Sequence, residues 1–238
     1  DVRENKDGAE TIIRLFNTDQ GNTTTQTAAL YLSPDIRATA LSGLRVIKEN
    51  ADMSSNAGRD VSLTLNTLQN NSQNEAVRIT SDGKLIIGGG SSRAVGFEHR
   101  LQLEDTNDLP HSFSMISNRP NAFGVHLSFA KSRGSTRGSN TIVQDDDEIA
   151  TLIFRGADGT DLSSTAAMID VRVDGTPSEN NIPGNFVFHT KSTGGTITER
   201  LRITSNGKVS IGNLASPDGN LHVYNSSAGS VTAATDAN

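Results

Sequence analysis

The side chains best suited to chemistry are few and scattered. Ser128-Phe129-Ala130-Lys131 has the S-x-x-K spacing in which a lysine or its neighbour deprotonates a serine nucleophile. The companion S-D-N and K-T-G elements are missing, and the pair lies in a predicted strand rather than at a helix start, so a chance match is the better reading. Asp145-Asp146-Asp147-Glu148 could draw a cation, but it lacks the spaced ligands and glycine of a calcium loop and reads as a solvated turn before a strand over residues 149–155. Asp158-Gly159-Thr160-Asp161 is a turn first, because Asp-Gly is itself a turn signal. The 5 histidines, His99, His111, His126, His189 and His222, include no close pair of the zinc-binding kind and read as surface or strand-packing residues. Gly88-Gly89-Gly90 has no Lys-Ser/Thr behind it to complete a phosphate loop and reads as a flexible break. Lys131, Arg133 and Arg137 form a basic patch without aromatics for base stacking, close enough to the acidic run to pair with it. No catalytic residue, metal site or cofactor is assigned from these groups.

Composition narrows the remaining classes. With no Cys, the chain has no disulfide, thiolate metal site or cysteine nucleophile. A net charge of −6 argues against general affinity for nucleic acid or anionic membranes. No apolar stretch reaches the roughly 18 residues of a bilayer helix. The start, DVRENKDGAE, has neither Met nor the apolar core of a signal peptide, so the chain is read as a fragment or a processed product. Only 34% of residues are hydrophobic, with no Trp, 2 Tyr and 8 Phe, so any core is thin and mostly aliphatic.

The elements that position these residues are legible through an internal repeat. Residues 75–88 read EAVRITSDGKLIIG and residues 199–212 read ERLRITSNGKVSIG, with nine of 14 positions identical. A weaker recurrence, IRLFNT from Ile13, LQLEDT from Leu101 and LHVYNS from Leu221, follows each copy of the first motif where a copy precedes it. The expected organisation is a connector over residues 1–12, β modules over 13–100 and 101–220, and the start of a third over 221–238. Unequal spacings exclude a solenoid of matched coils.

Within the repeat, Asp82-Gly83 and Asn206-Gly207 predict the same tight hairpin twice, because these pairs supply positive φ. Val77, Ile79, Leu85 and Ile87 then share one face, and Leu201, Ile203, Val209 and Ile211 share the matching face. Period-two alternation recurs in VSLTLNT, AMIDVRV and NFVFHT. The one helix candidate is ATALSGLRVIKENA, where Leu41, Leu44 and Ile47 have helical spacing; Leu44 and Val46 also fit a strand, and Gly43 weakens a helix.

A buried aliphatic side chain stabilises by about 1.5–3 kcal/mol, whereas each ordered residue costs about 1.5 kcal/mol. Four such side chains cannot hold a 14-residue hairpin by themselves. One-sided strands need a second apolar surface, and identical chains around a common axis supply it while closing the strand edges. The expectation is all-β: tandem antiparallel modules forming an elongated, trimeric rod.

The stretch from Glu148 to Val223 resembles modules in tail fibre proteins of tailed bacteriophages, especially those of marine and cyanobacterial phages. The resemblance rests on Phe154-Arg155-Gly156-Ala157-Asp158-Gly159, Ala166-Ala167, Val173-Asp174-Gly175-Thr176-Pro177, Ile182-Pro183-Gly184 and the Glu199-Arg200-Leu201-Arg202-Ile203 hairpin. It implies a homotrimeric fibre shaft on the virion, outside the cell, with two identical chains and adjacent fibre or tail proteins as partners. The intramolecular chaperone that often closes such fibres is not expected in these 238 residues, which end at Asn238. Three functions are weighed: a structural shaft that positions a host-recognition tip, a module binding host surface glycan through residues 17–27 or 118–140, and a polysaccharide depolymerase with carboxylates paired across chains. The shaft is favoured, without enzyme activity, nucleic acid or membrane insertion.

Overall fold

The computed structural model describes residues 2–4, 11–13, 27–32, 42–49, 60–104, 113–225 and 229–232. Among them every regular element is a strand. The strands β1 (Val2–Glu4) and β2 (Thr11–Ile13) form a two-stranded sheet. A six-stranded sheet runs in chain order through β3 (Thr27–Leu32), β4 (Ser42–Lys48), β5 (Val61–Gln69), β6 (Ser72–Ile79), β7 (Leu85–Ile87) and β8 (Leu101–Leu103). A seven-stranded sheet runs through β9 (Glu148–Gly156), β10 (Ser164–Val173), β11 (Gly184–Lys191), β12 (Ile197–Ile203), β13 (Val209–Ile211), β14 (Leu221–Asn225) and β15 (Gly229–Thr232). The chain divides into two compact units, Asp1–Phe113 and Ser114–Asn238.

The all-β expectation holds, with one refinement. Pairing is antiparallel except between β7 and β8 and between β13 and β14, which are parallel, so both large sheets are mixed. Parallel neighbours require a crossover rather than a hairpin, and residues 88–100 and 212–220 provide it. The strands read as opening a next module, at Leu101 and Leu221, are thus hydrogen-bonded to the hairpin before them. Of the corresponding stretch at Ile13, only Ile13 lies within the described residues, and residues 17–26 of the first candidate recognition loop lie outside them.

The ambiguous segment around Leu44 is strand β4. It pairs with β3 from Ser42 to Ile47 and with β5 from Gly43 to Lys48, so two ladders outweigh a helical spacing already weakened by glycine. A side chain at Gly43 would also collide with the Leu30 carbonyl.

The structural repeat is larger than the sequence repeat. Strands β3 to β8 and β9 to β14 follow one scheme, with four antiparallel pairings and then one parallel one. The turn between β6 and β7 is bonded as Gly83 N–H to Thr80 carbonyl (2.9 Å) and Thr80 N–H to Lys84 carbonyl (3.0 Å). Its counterpart has Gly207 to Thr204 (2.9 Å) and Thr204 to Lys208 (2.9 Å). Positive φ falls on Gly83 (80°) and Gly207 (76°) but not on Asp82 or Asn206. These are turns with a single left-handed glycine; the two-residue turn with both φ positive is Asn70-Asn71 (50° and 61°), between β5 and β6.

A β-bulge explains the repeated Glu-x-x-Arg. Residues three apart on a regular strand point to opposite faces. On β6 the partner register steps from Leu65–Val77 to Asn66–Glu75, leaving Ala76 as the extra residue. Glu75 and Arg78 therefore share a face and pair through two hydrogen bonds of 2.7 and 2.6 Å. On β12 the step from Phe188–Leu201 to His189–Glu199 makes Arg200 the extra residue, and Arg202 pairs with Glu199 at 3.0 and 2.7 Å.

Replacing Arg202 by Met leaves the Glu199 side chain, 9% exposed, without its two-pronged partner. The expected cost is about 2 kcal/mol, read as a lower denaturation midpoint. An unchanged midpoint would remove this pair from the forces holding the sheet.

Candidate functional site

The two large sheets share an unusual division of their faces. Cross-strand register aligns Leu30, Leu44, Leu65, Val77, Ile87 and Leu103 across the first sheet. A second row aligns Ala28, Val46, Leu63, Ile79, Leu85 and Leu101. In the second sheet the corresponding rows are Leu152, Ile169, Phe188, Leu201, Ile211 and Val223, and Ala150, Val171, Phe186, Ile203, Val209 and Leu221. The eight stripe residues read from the two hairpins, Val77, Ile79, Leu85, Ile87, Leu201, Ile203, Val209 and Ile211, thus occupy two neighbouring columns in each of these rows.

These apolar rows are not covered. Leu30 is 50% exposed, Leu65 45%, Leu103 56% and Phe186 49%. Along β5 the usual order is inverted, with Ser62, Thr64 and Asn66 buried and Val61, Leu63 and Leu65 exposed. Among the residues whose side chains are described, the buried apolar ones are Ile86, Val143, Val173 and Val187. The dry core among the described residues is small, and the apolar rows are the largest exposed feature of each sheet.

The opposite faces carry networks of the chain's own polar groups. Arg78 donates to Ser62 Oγ (3.1 Å) as well as to Glu75. Glu49 accepts hydrogen bonds from Ser62 Oγ, Ser81 Oγ and the Ser81 amide. Burial pushes its carboxyl up, but those hydrogen bonds and Arg78 outweigh it and hold it below its ordinary value. Asp174 does the same for the second turn, accepting from the Ser205 amide at 2.7 Å, with its carboxyl also lowered against the effect of burial. The repeated lysine ties each hairpin to its crossover. Lys84 pairs with Asp82 (2.7 Å) and Glu98, while Lys208 donates to the carbonyls of Pro217 (3.0 Å) and Asp218 (3.2 Å).

The chemical candidates from the sequence do not converge on a reaction centre. Ser128 and Lys131 lie in an irregular segment, not the strand the alternation predicts. Arg133 grips the Asp147 carboxylate at 2.7 and 2.8 Å, joining the basic patch to the acidic run and pushing the Asp147 carboxyl far below its usual range. Arg172 approaches Asp146 (3.4 Å) and Glu148 (3.7 Å). No cluster of three or more metal-ligating side chains occurs among the described residues.

Sequence reading missed one polar pair. Asp170, 1% exposed, lies 3.2 Å from His189 Nε2 and 3.7 Å from Arg172 on the polar face of β10 and β11. The signal was present, since Asp170 alternates with apolar residues in AMIDVRV, but only the pairing of β10 with β11, which sets His189 opposite Met168 and diagonal to Asp170, makes it a pair. A cavity of about 590 Å³ lies in the same unit, lined by Lys131, Asn140, Ile142, Arg172, Glu179 and Ile182 among others.

No protein-family model and no curated protein matches the chain. Two of the solved structures that share its fold come from one tail fibre. One is the carboxy-terminal domain of the bacteriophage T5 L-shaped tail fibre, with a TM-score of 0.62 and 14% identity over 87% of this chain and 88% of that one. The other is the same domain with its intra-molecular chaperone domain, with a TM-score of 0.62 and 13% identity over 87% of this chain and 60% of that one.

The turn between β9 and β10 gives a pH signature. Asp158 accepts from the Thr160 amide (2.9 Å), the Ser164 hydroxyl (2.8 Å) and the Asp161 amide (3.2 Å), which lower its carboxyl to about 2. A carboxyl lowered by folding stabilises fully above its unfolded value of about 4, and that contribution fades as pH falls towards 2. A carbon-detected titration of the Asp158 carboxyl is expected to show its midpoint near 2, and Asp158→Asn is expected to flatten this part of the acid-unfolding curve. A midpoint near 4 would mean that the turn bonds do not persist in solution.

Proposed function

We propose that this chain is a structural shaft segment of a homotrimeric phage tail fibre that positions a host-recognition tip. The observation carrying this reading is the pair of sheets whose apolar faces lie open while their opposite faces bury polar residues, many of them joined by ion pairs and hydrogen bonds. The fold shared with the bacteriophage T5 tail fibre domain supports the same class of protein.

The physical argument runs through the missing layer. A sheet with one apolar face must bury it against a second layer, and nothing among the described residues covers these faces. Three copies around a common axis place three such faces towards one another and leave the ion-paired faces in water. Each of the two large sheets presents such a face, so each can take part in the same packing. Adjacent fibre or tail proteins join it end to end, and the assembly belongs to the virion outside the host cell. In this role the side chains carry load and spacing rather than a reaction.

A second reading, recognition of host surface glycan, is favoured by the cavity of about 590 Å³, a size within the range of ligand sites, with Lys131, Asn140, Arg172 and Glu179 as its polar lining. Binding of the isolated chain to host cells or polysaccharide would promote this reading, and release of reducing sugar would promote a depolymerase.

Light scattering of the purified chain is expected to give three times the 25.2 kDa of one chain. The double variant Leu65→Asp/Phe188→Asp places a charge on each apolar face and is expected to abolish that species. A stable particle at 25.2 kDa with the native sequence would overturn the proposal.

A further inference from the structure

Residues 123–131, in the sequence FGVHLSFAK, have the pattern of a strand without the partner of one. Phe123, Val125, Leu127 and Phe129 alternate with Gly124, His126, Ser128 and Ala130. The backbone passes from residue 123 to 132 with no turn or bend. Every residue from 118 to 131 is exposed, so neither side of the segment is packed; Phe123 is 69% exposed and Leu127 63%. Residues 124–130 make no hydrogen bond with any part of the chain, backbone or side chain. Seven consecutive residues with free amides and carbonyls and large apolar side chains at every second place form half of a ladder.

The other half is present in the same unit. Strand β9 is the last strand of its sheet, bonded on one side to β10 and free on the other, and is nine residues long, as is the segment. Its free edge has no proline, bears Leu152 and Phe154 at 46% and 53% exposure, and is the open edge at which a sheet accepts another strand.

We infer that residues 123–131 of one chain add to the edge of β9 in a neighbouring copy of the same chain, antiparallel, with Leu127 opposite Leu152. This deepens the proposed homomeric assembly and rests on it. Three observations fix the register. Leu127 extends the row that already runs from Leu152 to Val223, and Phe129, opposite Ala150, extends the row beside it. Lys131 falls opposite Glu148, an opposite-charge pair at the strand end. On the other face Ser128 falls opposite Thr151, whose Oγ1 is buried and has no hydrogen-bond partner within the chain. Moving the segment by one residue would turn Leu127 and Phe129 to the polar face and lose both polar matches.

The partner edge is assigned to another copy because the segment makes no hydrogen bond with β9 of its own chain. Residues 132–147 are held as a separate loop by Arg133 N–H on the Thr141 carbonyl (3.2 Å), Ser132 Oγ on the same carbonyl (3.2 Å) and the Arg133 grip on Asp147. Such an exchange makes the chains intertwined rather than merely side by side.

The absence of Cys allows a clean test. The chain carrying Leu127→Cys and Leu152→Cys, mildly oxidised in its assembled state, is expected to run on a non-reducing denaturing gel at two and three times the mass of one chain. The off-register pair Leu127→Cys and Ile153→Cys is expected to link at least tenfold less. Product found only at single-chain mass, or equal linking by both pairs, would overturn the inference. In the unaltered chain, hydrogen exchange is expected to show amides within residues 124–130 slowed at least a hundredfold at alternate positions, and exchange at the free-chain rate would overturn it equally. Light scattering separates the two readings. A particle of three chains without the 127–152 link rejects the strand addition alone, and a particle of one chain rejects the homotrimer as well.

Discussion

The governing constraint is that a single layer of sheet has two faces, and among the described residues no extended apolar core dries either of them. On one face the chain resolves the problem internally. Arg78 with Glu75 and Arg202 with Glu199 lie flat across the strands, so that Ser62, Thr64 and Ser210 are buried beneath polar side chains rather than apolar ones. On the other face leucine, isoleucine, valine and phenylalanine form continuous rows at partial exposure. Apolar area left in water is unfavourable in proportion to its size, at roughly 25 cal/mol per Å², and the proposed trimer is a way to remove that area from water.

The polar face also explains why the repeated motif has the residues it has. Each identity between residues 75–88 and 199–212 has a task in the hairpin. Glutamate and arginine meet only because a bulge at Ala76 or Arg200 brings them to one side. Thr80 and Thr204 receive the Lys84 and Lys208 amides on their hydroxyls at 2.9 and 3.1 Å. Ser81 and Ser205 offer amides to Glu49 and Asp174, which stand just beyond β4 and β10 and so connect distant strands to the turn. The lysine reaches the crossover, and Gly88 and Gly212, at φ of 108° and 104°, pass so close to the Glu104 and Tyr224 carbonyls that no side chain would fit. The motif is therefore the place where hairpin, crossover and parallel strand are locked together.

This accounts for what the sequence made legible. The hairpins, their apolar alternation and the offset between them were readable because locking geometry demands particular residue types. Strands β3 to β5 and β9 to β11 follow one scheme without recognisable similarity, because their rows ask only for aliphatic or aromatic bulk, and Leu65 and Phe188 meet that demand equally. Asn70-Asn71 was overlooked as the two-residue turn because asparagine reaches positive φ less freely than glycine, and its tightness is set by the ladder of β5 and β6. The Asp170–His189 pair could not be read, since its two members are nineteen positions apart and only strand register joins them. Similarity groups the strands at Leu101 and Leu221 with each other, whereas their hydrogen bonds, which only the three-dimensional structure gives, join each to the hairpin before it.

The same division of faces bears on why a sheet of this kind is repeated rather than enlarged. Widening a single sheet adds apolar and polar area together but still leaves one uncovered face and two edges. Repeating the six-strand unit along the chain gives a second apolar face of the same kind, and each face can be covered by the same face of another copy. Closure on the polar side is local to each unit, since Glu75, Arg78 and Glu49 belong to the first sheet and Glu199, Arg202 and Asp174 to the second. Loops between the strands can then vary in length, as residues 88–100 and 212–220 do, without altering the rows. A chain assembled in this way gains cohesion from its neighbours in proportion to its length, which is the property a load-bearing shaft requires.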